Sequence, residues 1–250
     1  MITINLSADL RPLLDRLQHV QREIQFVIAS ALTKTAVKVK PEIRQAMARA
    51  FDRPTPYTLN SILVTPARKQ DENPTARVWL KDSQSAALDT RQFTGGTPAA
   101  EYLWPQIAGG ARPLKRFEIR LRNAGLLPPG MFVVPGKGAK LDRYGNADNG
   151  QLVAALAKLG TIREAIDYRA RKRATKYAGV QYFVSRGDRG LARGVWQRLP
   201  GHKVVCIYRF VDGATYRVRF DFAKIAKESA LRLLPIEFDA AIDRALRAGE

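Results

Sequence analysis

The side chains able to do covalent or metal chemistry are few and scattered. His19 and His202 are the only imidazole bases, and Cys206 is the single thiol. His19 falls within a helical pattern and His202 beside a turn glycine. With no further His or Cys at ligand spacing, neither reads as part of a metal site. Cys206 stands in the run VVCIY, where a thiol among apolar neighbours reads as a small buried hydrophobe with a raised pKa, not a nucleophile. The closest carboxylates are Asp71 with Glu72 in a turn, and Glu237, Asp239 and Asp243 near the end of the chain. Asp239 and Asp243 share a helix face, but Arg244 and Arg247 stand beside them, which fits a solvated, ion-paired face better than acid–base work.

The glycine-rich strings also fail as binding motifs. A phosphate loop needs four residues between its first glycine and the Gly-Lys pair, followed by Ser or Thr. Gly130 and Gly136 have five between them, and Gly138 follows Lys137. Counted from Asp142 as a calcium loop, Ala147 falls where glycine is needed and Val153 where the bidentate Glu belongs. Arg186-Gly187-Asp188 is most simply a β-turn. The sequence therefore predicts no enzyme, no cofactor and no metal; a metal-dependent nuclease would need clustered carboxylates that it does not show.

Charge is what rises above background. Of 250 residues, 42 are Lys or Arg against 23 Asp or Glu, a net charge of +19, laid over an ordinary 46% hydrophobic content. The chain should fold, and its basicity points to an anionic partner. From Tyr168 to Arg193 the basic residues are Arg169, Arg171, Lys172, Arg173, Lys176, Arg186, Arg189 and Arg193, interleaved with Tyr168, Tyr177, Tyr182 and Phe183, and the only acid is Asp188. Such a patch can neutralise phosphates of DNA or RNA without reading sequence, or meet an acidic protein surface. The plainer alternative is cations gathered at the last turn of a helix. One cysteine fits a reducing compartment. The start lacks a signal-peptide pattern and no stretch approaches the roughly 18 apolar residues of a membrane helix, which predicts a soluble product of the cytoplasm.

The elements that must position these residues alternate in type. Residues 1–7 read as a strand, and Leu10 to Val20 and Ile24 to Phe51 as amphipathic helices, the second kinked or restarted at Pro41. The string DRPTPYT ends the helix in an extended turn. Residues 59–66 and 75–81 read as a hairpin, 83–96 as loop, 102–107 as an aromatic-rich stretch, and Pro113 onward as a short helix with Arg116, Arg120 and Arg122 exposed. Residues 128–150 form a long loop with at most a short MFVV strand. A helix from Gln151 is expected to bury Leu152, Leu156, Leu159, Ile162, Ile166 and Ala170 together. Strands follow at 180–185, 195–199, 204–211 and 215–220, then a helix from Asp221 interrupted at Pro235. This order predicts a single elaborated α+β domain over 1–250: an antiparallel or mixed sheet packed with N- and C-terminal amphipathic helices, with a loop-and-helix insertion at 128–177.

Several strings together resemble the tailed-bacteriophage minor tail protein Z family: ALTKTAVKVKPEIRQAMARAFDRPTPYTLNSILVTPA, YLWPQIAGGARPLKRFEIRLRNAGLLPPG, KLDRYGNADNGQL, QYFVSRGD with GVWQRL, and YRVRFDFAKIA. The likeness touches most of the chain from about Ala31 to Ala226. It implies a virion component of the tail or neck, assembled in the host cytoplasm, that completes the tail or joins it to the head without enzymatic activity. It also implies partners: copies of the chain in a ring, and tail terminator, tail tube or head–tail connector proteins. Arg53 to Tyr57 and Gly110 to Pro113 would be structural motifs, and the loop from PPG to DNG and the exposed faces of the N-terminal helix the interface candidates. The alternative is a sequence-independent nucleic-acid-binding protein using the patch at 168–193, alone or on the packaged genome.

Overall fold

In the computed structural model, residues 24–82, 97–161, 179–188 and 190–248 are described. The expected strand at 1–7, helix at 10–20 and loop at 83–96 lie outside them. The fold is α+β, and every strand pair among the described residues is antiparallel. The chain divides into two compact units, one formed by residues up to Leu103 and again from Arg219, the other by Trp104–Val218.

The first unit is built on two 27-residue helices, α1 (Ile24–Ala50) and a C-terminal helix, α6 (Phe222–Ala248). In α1 the buried residues Val27, Ala31, Thr35, Val39, Ile43 and Met47 recur every four positions, the spacing that keeps one face toward a core. The two helices run antiparallel. Val27 and Ala31 cluster with Ala241 and Ala245, Lys38 pairs with Glu237, and Arg232 donates to Glu42 at 2.6 Å. Alanines at the contact let the backbones approach closely. Both helices run unbroken through proline, so Pro41 does not restart its helix and the expected interruption at Pro235 is absent. The reason is placement. Pro41 and Pro235 are exposed, as are Val37 and Leu231 four residues before them, so water can take up the carbonyls that lose their partners.

After α1 the chain makes a single helical turn, α2 (Pro56–Leu59), where an extended turn was expected. Thr55 caps it by accepting from the Thr58 amide at 3.1 Å, and Pro56 suits the first helical position because it has no amide to leave unpaired. Strands β1 (Ile62–Thr65) and β2 (Arg77–Leu80) form the predicted hairpin, with Ile62 opposite Leu80. The aromatic-rich 102–107 belongs to helix α3 (Ala99–Ala108), which carries Pro105 inside it.

The second unit centres on a four-stranded sheet in the order β4 (Met131–Pro135), β7 (Val204–Asp212), β6 (Gly194–Arg198), β5 (Gln181–Ser185). One face carries Met131, Val133, Tyr182, Val195, Tyr208 and Phe210, which pack with Leu121 of α4 (Arg116–Asn123) and Ala154, Ala155 and Leu156 of α5 (Asn149–Lys158). Strand β4 pairs with β7, and residues 128–161 fall within this unit. The expected fourth strand at 215–220 shrinks to β8 (Thr215–Tyr216), which pairs with β3 (Gly110–Ala111) and not with the larger sheet. Helix α5 stops at Lys158, short of the expected run to 170: Gly160, at φ +70°, donates to Ala157 and Thr161 donates to Leu156, the paired bonds of a glycine-terminated helix. Ile162, Ile166 and Ala170 lie outside the described residues.

Strand β7 holds a bulge opposite Val195 and Trp196. Val195 faces Tyr208 and Trp196 faces Cys206, so Ile207 is the extra residue and both Ile207 and Tyr208 are buried. Gly194 permits the close pairing at this point. A Cβ there would lie 2.3 Å from the Tyr208 carbonyl oxygen. Gly194→Ala is therefore expected to force β6 and β7 apart and lower stability by about 1–3 kcal/mol, read as a lower urea midpoint at unchanged slope; an unchanged midpoint would contradict the packing.

Candidate functional site

Of the predicted basic patch, Arg169, Arg171, Lys172, Arg173, Lys176 and Arg189 lie outside the described residues. Arg186 and Arg193 are both exposed and flank the turn joining β5 to β6. That turn is ordered from within. The Ser185 hydroxyl accepts from the Gly187 amide at 3.2 Å, and the Leu191 amide donates to the Asp188 carbonyl at 3.0 Å. Gly187, at φ +93°, leaves room for the Arg193 stem, which passes 3.1 Å from where a Cβ would sit. The tripeptide Arg186-Gly187-Asp188 is thus part of a hairpin connection.

The same hairpin continues into the second face of the four-stranded sheet. None of the residues that pack the core of this unit lies on that face. Phe183 stands directly opposite Trp196, and Trp196 opposite Cys206 across the next strand. The Arg198 guanidinium lies over the Phe183 ring at 5.2 Å, and the Trp196 indole N–H donates to the Ala192 carbonyl at 2.9 Å, which fixes the ring's tilt. Arg198 and Arg209 are exposed. The strand residues of this face include no Asp or Glu.

Two fully buried polar residues, whose buried roles the sequence does not show, hold loops beside this sheet. Glu118 accepts four hydrogen bonds: from Arg112 Nη1 (2.7 Å) and Nη2 (2.6 Å), the Lys115 amide (2.7 Å) and the Val133 amide (2.7 Å). Arg112 also donates to the Val133 carbonyl at 3.3 Å, so the pair takes the place of a neighbouring strand along the outer edge of β4. Burial by itself pushes the Glu118 carboxyl up, but its hydrogen bonds from Arg112 and the two amides more than offset that and hold it below the usual carboxylate range. Gln151 acts alike on the next loop: its amide oxygen accepts from Lys140 N at 2.8 Å and its nitrogen donates to Gly138 O at 3.1 Å.

The motifs that fail in sequence have structural uses. Gly136 and Gly138 donate their amides to Ile207 and Cys206, at 2.9 and 2.8 Å, so those N–H groups are not free to cradle a phosphate. A Cβ on Gly136 would lie 2.5 Å from the Cys206 carbonyl oxygen. Asp142 Oδ1 accepts from the Asn146 and Tyr144 amides, at 2.9 and 2.8 Å, which closes a turn and lowers the carboxyl's pKa. His202 is exposed in a turn at φ +61°, while His19 lies outside the described residues. Cys206 is half-buried, and burial pushes its thiol up. Glu237 is buried against Lys38 rather than solvated, whereas Asp239 and Asp243 are exposed. The hollow at the β1–β2 turn, between Arg68 and Arg77, is lined by exposed residues only. Among the described residues no three His, Cys, Asp or Glu gather as a metal site, and no helix is long and apolar enough to cross a membrane.

Comparison of the chain with protein-family models, with curated proteins and with solved structures gives no match.

Proposed function

We propose that this chain is a structural component of a tailed-phage particle, acting in tail completion or head–tail joining by assembling with copies of itself into a ring. The observation that carries the reading is the loop from Gly136 to Asn149. It is ordered by the glycine amides on β7, by both polar atoms of Gln151, and by the mutual bonds Asp142 N to Asn146 O (2.8 Å) and Asp148 N to Lys140 O (2.8 Å). At its end Leu141 is 51% exposed. A loop already fixed in shape and carrying an exposed apolar side chain loses little freedom when it meets a partner, which is what an assembling subunit needs.

In this role the neighbours are further copies of the chain and tail terminator, tail tube or head–tail connector proteins, and no chemistry is performed. The purified chain is expected to sediment as a ring-sized oligomer, or to bind completed tails or neck components. Leu141→Asp should weaken that association by about 30-fold, the loss typical of a central interface residue, with melting unchanged. A chain that stays monomeric and unbound at low and high salt, or a variant that assembles like the parent, sinks the reading. The arginine-bearing sheet face favours a second role, contact with nucleic acid, and that role is compatible with the first.

A further inference from the structure

We infer that the second face of the four-stranded sheet is a docking site for single-stranded nucleic acid, with bases stacking on Phe183 and Trp196 and phosphates meeting Arg198, Arg209 and Arg186. The inference does not depend on the virion reading. Three observations carry it.

The first is geometry: Phe183 and Trp196 are directly opposed on adjacent strands, a spacing of about 5 Å between Cβ atoms, so two rings stand side by side on one surface. The bulge in β7 maintains this arrangement, because it places Cys206, and not the larger Ile207, beside Trp196. The second is preorganisation. Arg198 already rests over Phe183 and the Trp196 indole is tied to Ala192, so neither ring needs to be fixed on binding. The third is charge. The strand residues of the face have no acid while Arg198 and Arg209 are exposed on it, Arg186 stands at its hairpin end, and the whole chain carries +19.

Aromatic rings interleaved with arginines on a sheet suit an unpaired strand. Every base has a face to stack, and arginines follow the backbone without reading sequence. A duplex keeps its bases stacked inside and would use only the arginines. An acidic protein surface would likewise use the arginines and leave the rings idle.

The test is fluorescence anisotropy of the full chain with a labelled oligothymidylate of about 12 nucleotides, the duplex of the same length, and heparin as a polyanion without bases. The single strand is expected to bind tighter than the duplex, with affinity falling as salt rises. Phe183→Leu and Trp196→Leu should each weaken single-strand binding by about 5-fold to 100-fold and leave heparin binding unchanged. Arg198→Gln should weaken both. Circular dichroism and melting temperature identify any variant that fails to fold. Cys206, the single thiol and the cross-strand neighbour of Trp196, gives an independent reading in the unaltered chain: saturating oligothymidylate should slow its alkylation. Equal affinity for strand and duplex, folded ring variants that bind as the parent does, or alkylation indifferent to the oligonucleotide would overturn the assignment.

Discussion

Glu118→Ala is expected to lower stability by about 3–5 kcal/mol, because it leaves the Arg112 guanidinium, whose side chain is only 9% exposed, without its counter-charge. It also frees the Lys115 and Val133 amides and undoes the edge of β4. Replacing both partners by apolar residues, Arg112→Met with Glu118→Leu, should recover much of the loss, since the cost lies in the stranded charge more than in the pair itself. Acid should reproduce the effect. The Glu118 pKa is lower folded than unfolded, so its contribution is present above the unfolded value of about 4.3 and disappears as pH falls through the folded one. Urea unfolding followed from pH 7 to about pH 3 should show the parent losing this increment while Glu118→Ala, which has nothing left to titrate there, declines less. Parallel pH curves for the two proteins would refute the assignment.

Phe220→Ala should cost a similar amount, about 3–5 kcal/mol, by opening a void in the other unit. Phe220 is 1% exposed and meets the rings of Phe51 at 5.5 Å and Phe222 at 6.3 Å, joining the end of α1 to the start of α6. Amide hydrogen exchange distinguishes the two changes: Phe220→Ala should accelerate exchange in α1 and α6, and Glu118→Ala in β4 and β7. A Phe220→Ala protein with parental exchange in both helices would mean that the ring cluster contributes nothing there.

Elements set by local pattern were legible in the sequence. The hairpin of β1 and β2, the strands around Val184, Val195 and Ile207, and the buried stripe of α1 all follow from period-2 or period-3.6 spacing. What was hidden depended on neighbours distant in sequence. Pro41 reads as a kink or restart and Pro235 as a break because a proline's cost is visible in sequence, while exposure, which made both tolerable, is not. Glu118 sits among Arg116, Arg120 and Arg122 and looks like one more surface charge; only the folded edge of β4 shows it buried. The bulge at Ile207 reverses which side chains of β7 share a face, so the pairing of Trp196 with Cys206 could not be counted from the sequence. The basic run was plain to read, and Phe183 with it, yet the placing of Trp196 beside Phe183 came from register, not composition.

The antiparallel helix pair also bears on how the chain is made. Glu42 and its partner Arg232 are 190 positions apart. At a translation rate of about 5–20 residues per second, α1 waits roughly 10–40 seconds beside the ribosome before its mate is synthesised. Through that interval Val27 and Ala31 have no α6 to shelter them, whereas Trp104–Val218 emerges as one continuous stretch. The nascent protein is thus most prone to sticking to its neighbours early, at α1, and that vulnerability lasts until α6 has been made and packs against it.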